Sequence, residues 1–383
     1  MSDGGTAASV PRRSTTRQKG GTLVSSHHGA TLAVAAAVLV PVASASAAPK
    51  ISVFAKSIDN PRGLELGPDG TLYVASAGHA GPTCLDKKKE NCIGFTSRVL
   101  AISAAGNKRT VAKGLLSAGS GDGTFTTGAD DVAVGADGRI FAVTTSATPK
   151  EIGAAPKKFR DAAGKLFDVT NGALNPLAAI DAFEWAHNSD GIKGDRNSNP
   201  YGVLALPGRR IVADAGANAI LNVDDNGVVT LLAVIPKNGK SQPVPTSLAL
   251  GPDGAVYVGE LALGAGKGKA RVWRVPLDGT PPSVFATGFT TITGLAFGPD
   301  GSLYVTELST KPAKLEPPGA IVRRKPDGTT TTLKSKTLLF PAGAAVAPDG
   351  ALYVSNASVL PAKTPKKSPF KGLGGQILKI TGF

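Results

Sequence analysis

Along this chain, short apolar runs are cut by turn-forming residues, and one such unit recurs six times. Its copies are residues 63–76 (GLELGPDGTLYVAS), 131–144 (DVAVGADGRIFAVT), 202–214 (GVLALPGRRIVAD), 247–260 (SLALGPDGAVYVGE), 294–307 (GLAFGPDGSLYVTE) and 343–356 (GAAVAPDGALYVSN). Each copy reads as a strand, a tight turn and a second strand. The turn glycine falls at 70, 138, 208, 254, 301 and 350, giving steps of 68, 70, 46, 47 and 49. Strand pairs at a period near 40 to 50 predict propeller blades.

A second strand pair follows each unit, as a four-stranded blade requires. It is expected at 98–103 with 108–113, 165–169 with 173–180, 218–223 with 228–235, 270–275 with 282–287, and 320–324 with 329–333. After residues 376–381 the sixth blade still lacks its fourth strand, and Ile51-Ser52-Val53-Phe54-Ala55 resembles the fourth strand of blade four at 283–286. The fold expected is all-β, a six-bladed β-propeller whose N-terminal strand closes the last blade and removes an exposed edge. Inner strands carry Leu64, Val132, Leu248 and Leu295 on one face, and small Ala133, Ala249, Ala296 and Ala345 on the other. Glu65 stands where its counterparts are alanine, and the sequence offers no reason for it.

Composition agrees with this picture. With 48 Gly and 28 Pro in 383 residues, a coiled coil or helix bundle is excluded. An apolar fraction of 42% with 18% charged residues suits a packed core rather than a disordered chain. Residues 1–47 differ from the rest: Arg12, Arg13, Arg17 and Lys19 precede an apolar run at 30–43, and Ala45-Ser46-Ala47 follows. This reads as a secretory signal, leaving the propeller to residues 48–383. The apolar run is too short for a spanning helix, so no transmembrane segment is expected. The mature chain is expected to be secreted and extracellular, or periplasmic where the host has an outer membrane, and monomeric. There, Cys84 and Cys92 predict one local disulfide.

Removing the leader takes away four basic residues and one acid, leaving 38 against 27, a net charge of +11. Two lysine runs stand out, Lys87-Lys88-Lys89 and Lys363, Lys366, Lys367 and Lys371. Apart from Phe370 no aromatic residue is interleaved with them, so specific nucleic-acid binding is not expected; the partners this charge suits are an anionic cell-surface polymer or an unidentified small molecule.

In an up-and-down blade the long connections at 77–96, 146–163, 261–269, 308–318 and 357–373, with the insertion 186–199, crowd one face, where binding residues are expected. In register at that mouth come Ser76, Thr144, Asp214, Glu260, Glu307 and Asn356 at the second-strand ends. Just before the inner strands come Arg62, Asp130, Tyr201, Thr246, Thr293 and Ala342. Candidate ligand-binding residues are therefore Arg62, Asp130, Tyr201 and Asn356. Asp214, Glu260 and Glu307 would converge on a cation unless each turns back to its own loop, and an oxygen-only set would favour calcium. His79 and His187 lie in face loops and are read as solvated. No nucleophile elbow, phosphate loop or zinc-protease motif occurs, so no catalytic residue is named.

The segments NPYGVLAL (199–206), VADAGANAIL (212–221), VPTSLALGPDGAVYVGEL (244–261) and ATGFT (286–290) make the chain resemble the ScyD/ScyE family over residues 50–383. That resemblance implies an exported propeller and no particular activity. More distantly the repeats are similar to NHL-repeat and gluconolactonase-like propellers, whose acidic metal ligand at the first inner strand is here replaced by Arg62. The function expected is that of a binding or scaffold protein with its ligand at the channel mouth of the long-loop face. The alternative is a metal-dependent hydrolase or lyase acting on a small molecule.

Overall fold

The structure, a computed structural model, describes residues 48–383; the leader expected at residues 1–47 lies outside the described residues. Six antiparallel sheets form the blades of a propeller. Blade one is Pro61–Leu66, Leu72–Ser76, Cys92–Ile102 and Lys108–Gly119, with the two-residue strand Thr83–Cys84 added beyond the third. Blade two is Ala129–Val134, Ile140–Thr144, Lys165–Asp168 and Asn175–Ala179; blade three is Pro200–Leu206, Arg209–Asp214, Ala219–Asp224 and Val229–Val234. Blade four runs Pro245–Leu250, Val256–Glu260, Ala270–Val275, Ser283–Phe289, and blade five Ile292–Phe297, Leu303–Glu307, Ala320–Arg324, Thr330–Leu333. Blade six is Ala344–Val346, Leu352–Asn356 and Gly375–Thr381, completed by Lys50–Ile58. The N-terminal strand therefore closes the ring, pairing Lys50 with Thr381 through Ile58 with Gly375.

Side chains alternate across each blade, so one face packs on the preceding blade and the other on the next. Tyr73, Ala75 and Val99 of blade one meet Val132, Ile140 and Ala142 of blade two. At the closure, Ala345, Tyr353, Ile377 and Ala55 of blade six meet Leu64, Leu72 and Val74 of blade one. Phe54 sits edge-on to Tyr353 with centroids 4.9 Å apart. Glu65 thus points toward blade two from a position where blades two, four, five and six carry alanine.

Register shifts interrupt the inner strands of blades one to five, between Pro61 and Leu64, Ala129 and Asp131, Pro200 and Gly202, Pro245 and Ser247, and Ile292 and Gly294. The unpaired residues include Arg62, Asp130, Tyr201, Thr246 and Thr293, so the register read from the repeats coincides with a ring of β-bulges. Glycines beside this ring let blades approach closely: a Cβ on Gly202 would lie 2.5 Å from Thr246 O, and one on Gly343 would lie 2.4 Å from Arg62 O. The cavity left around the axis measures about 30 Å³, room for roughly two waters.

Helices appear in the connection 146–163, expected as a loop, and between the strand expected to end at residue 180 and the insertion 186–199. Residues 146–163 include Pro149–Gly153, begun by a Thr148–Glu151 capping box, and Lys157–Arg160. Ile180–His187 continues from the fourth strand of blade two. Among the described residues no helix is long and apolar enough to cross a membrane.

Candidate functional site

The second-strand ends share one structural task. Asp214 accepts from Ser198 Oγ at 2.6 Å, Asn199 N at 2.7 Å, and Gly216 N and Ala217 N, both at 3.1 Å. Burial nevertheless pushes its carboxyl up to about 6 against those donors. Glu260 is fully buried and takes Arg271 Nε at 2.8 Å and Nη2 at 3.0 Å, Trp273 Nε1 at 3.1 Å and Asn238 Nδ2 at 3.1 Å. Glu307 accepts Thr290 N at 2.8 Å through Oε1, and burial raises its carboxyl above the usual range. Asn356 accepts Leu339 N and donates to Thr337 O. Each side chain therefore ties down the connection that enters its own blade. Asp214, Glu260 and Glu307 turn back to their loops rather than converging, and among the described residues no three His, Cys, Asp or Glu side chains gather as a metal-binding group.

The bulge ring behaves differently. Arg62 is buried, donates from Nη2 to Thr126 O at 2.5 Å, and holds Nε 3.7 Å from Asp130 Oδ1, with that Nε lacking a hydrogen-bond partner. Asp130 also accepts Thr127 Oγ1 at 2.6 Å; burial raises its carboxyl to about 6 while Arg62 opposes the rise. Burial likewise raises the Tyr201 phenol, with Arg62 acting the other way. Arg62, Asp130 and Tyr201 are thus brought together at the axis, whereas Asn356 belongs to the outer set of loop clamps. Thr246 and Thr293 donate across to the next blade, to Ile292 O at 2.8 Å and Pro341 O at 2.9 Å.

Sequence reasoning missed Asp131 and left Glu65 unexplained. Asp131 bridges to blade three by accepting Val203 N at 2.9 Å, and burial pushes its carboxyl to about 7. Burial, reinforced by the Asp131 charge, carries Glu65 to about 8, so the fold favours the protonated form of Glu65 beside Asp131. The adjacent acids Asp130 and Asp131 opening one inner strand were the available signal. His79 Nδ1 lies 3.3 Å from Asp59 Oδ2 in its loop, whereas His187, expected in a loop, ends the helix Ile180–His187 and stacks on Phe183 one turn back.

The roomier cavities lie off the axis. One of about 420 Å³ opens between the insertions of blades one and two, lined by the apolar Leu85, Ile93, Leu116, Ile152 and Phe159 and by the polar Asp86, Asn91, Thr127, Thr145, Ser146 and Glu151. Cys92 of the Cys84–Cys92 disulfide is part of its lining. Asp86 draws in the short loop by accepting Glu90 N at 3.0 Å and Asn91 N at 2.6 Å. Phe95 packs on Phe159 from the third strand of blade one, with centroids 5.0 Å apart, yet is 39% exposed.

No family model and no curated protein matches the chain. Among solved structures it is similar to a protein of unknown function from Bacteroides thetaiotaomicron, 14% identical over 87% of this chain and 76% of that one, with a TM-score of 0.53. It is similar also to regucalcin, a calcium-binding protein from Agrobacterium tumefaciens, 16% identical over 86% and 92% of the two chains, with a TM-score of 0.50. Virginiamycin B lyase from Staphylococcus aureus, solved as an inactive variant with quinupristin, is 16% identical over 87% and 99%, with a TM-score of 0.47. At these identities the first two likenesses speak for the fold alone, which the six sheets make a six-bladed β-propeller.

Proposed function

We propose that this propeller is an exported binding protein of the ScyD/ScyE type, holding a compact, largely apolar small molecule on its long-loop face. The observation that carries the reading is the 420 Å³ pocket between the insertions of blades one and two. That volume falls in the range of small-molecule sites, and its lining is mostly aliphatic and aromatic with a few polar groups, the hydroxyls of Thr127, Thr145 and Ser146 and the side chains of Asp86, Asn91 and Glu151, which is the usual composition of such sites. The pocket lies off the axis, where the channel is nearly filled. The disulfide of Cys92 fixes a loop that has little core of its own, which lowers the ordering cost of binding. The alternative as a metal-dependent hydrolase or lyase draws no support from Asp214 and Glu260, whose oxygens all face protein donors. The test uses an anilinonaphthalene sulfonate dye with the folded wild type and with Ile152→Trp, which fills the pocket. Saturable dye fluorescence lost in the variant supports the reading; equal fluorescence in both proteins, or none in the wild type, overturns it.

A further inference from the structure

A separate cavity of about 460 Å³ lies at the outer edge of blade six, lined by Lys56, Lys363, Lys366 and Lys371 together with Ser57, Thr364 and Gln376. The charges come from two distant parts of the sequence: Lys56 from the closing N-terminal strand, and the other three from the long connection before Gly375–Thr381. A fifth cation supports them from below, Lys108, whose Nζ donates to Lys56 O and Ser57 O. None of the four lining lysines is in a salt bridge among the described residues, and no acid lines the cavity. Asp59, which accepts Ala362 N of the lining at 2.7 Å, is also engaged by His79 at 3.3 Å and Arg98 at 3.9 Å. Four like charges around one concavity repel, and an anion relieves that repulsion.

We propose that this cavity binds a flexible, non-aromatic chain of phosphate or phosphodiester groups. Its volume and four separated cations suit several linked anionic groups rather than one. Nucleic acid fits less well. The one aromatic residue in the lysine-rich connection, Phe370, packs on Phe340 with centroids 5.7 Å apart and offers no platform for a base. The site is also concave, whereas a duplex groove needs a protruding element. A planar membrane would meet only its rim, where Leu373 at 40% exposure is the one large apolar side chain.

The experiment titrates wild-type protein with short-chain inorganic polyphosphate by calorimetry across a series of salt concentrations. It is repeated with the Lys363→Gln, Lys366→Gln, Lys371→Gln variant and with Lys87→Gln, Lys88→Gln, Lys89→Gln, which removes the same charge elsewhere. The expected result is that the first variant binds about tenfold or more weakly and loses roughly two from the slope of log affinity against log salt, while the second stays near wild type. Circular dichroism and melting temperature should be alike in all three, since the lysine heads are solvent-exposed. Equal weakening in both variants would reduce the effect to net charge and overturn the site. So would orthophosphate matching polyphosphate in affinity, or tighter binding of an oligonucleotide or of anionic vesicles at equal charge.

Discussion

Arg271 meets the fully buried Glu260 through two parallel contacts, Nε to Oε1 at 2.8 Å and Nη2 to Oε2 at 3.0 Å, while its guanidinium lies 4.6 Å from the centre of the Trp273 ring. Removing the cation alone strands a carboxylate away from water. Arg271→Met should lower the free energy of unfolding by about 3–5 kcal/mol in urea denaturation. The exposed pair Arg274 with Asp253 should contribute under about 1 kcal/mol by the same measurement. Similar losses at both positions would show that Glu260 is less confined than its contacts indicate.

Stability should depend on pH in a direction set by Glu65 and Asp131, the acids facing each other between blades one and two. Glu65 rises from 4.5 to about 8 on folding, and Asp131 from 3.8 to about 7. A raised value means that the folded state favours the protonated form. The resulting stabilisation is complete below the ordinary value and is lost as pH climbs through the folded one. Melting temperature should therefore decline between pH 5 and pH 8.5 for these groups, and Glu65→Gln should flatten that decline. Asp300, held down to about 2 by Ser302 and Arg323, acts oppositely, its contribution vanishing only as pH falls from about 4 toward 2.

Deleting residues 48–56 should leave blade six with an open edge and strip Phe54 and Ala55 from the core between blades six and one. The expected outcome is a lower melting temperature with concentration-dependent aggregation in light scattering. An unchanged melting curve would mean that the edge is covered in some other way.

The disulfide spans eight positions. Cys84→Ser, Cys92→Ser should cost up to about 2–3 kcal/mol on a chain-entropy basis and should weaken dye binding at the neighbouring pocket. Intact-mass measurement before and after reduction checks that the bond forms.

Much of the scaffold was legible because its information is local and repeated. The turn glycines at 70, 138, 208, 254, 301 and 350 each take a positive φ in the structure, as tight turns require, and the closing strand followed from counting strands in blade six. That Asp214, Glu260 and Glu307 turn back to their own loops instead of converging was not legible in the same way. A repeat register places residues at equivalent heights but does not show where a side chain turns, and Arg271 and Trp273, which hold Glu260 outward, lie on a strand that the repeat unit does not cover. The helix Ile180–His187 was hidden because its first residues continue an apolar strand pattern without a capping residue. Glu65 became intelligible only once Asp131 of the next blade stood beside it.

The strand Lys50–Ile58 carries a consequence for the order of events during synthesis. Ser52 bonds to Lys379, 327 positions later in the chain. The first strand to leave the ribosome therefore finds its partner only when the last strand has been made, and five blades can assemble while that segment waits. Until then the ring is an open arc with unsatisfied backbone at both ends, a form slow to finish and exposed to pairing with other chains. A chain that completes its ring by joining strands 327 positions apart gains little from folding as it is made.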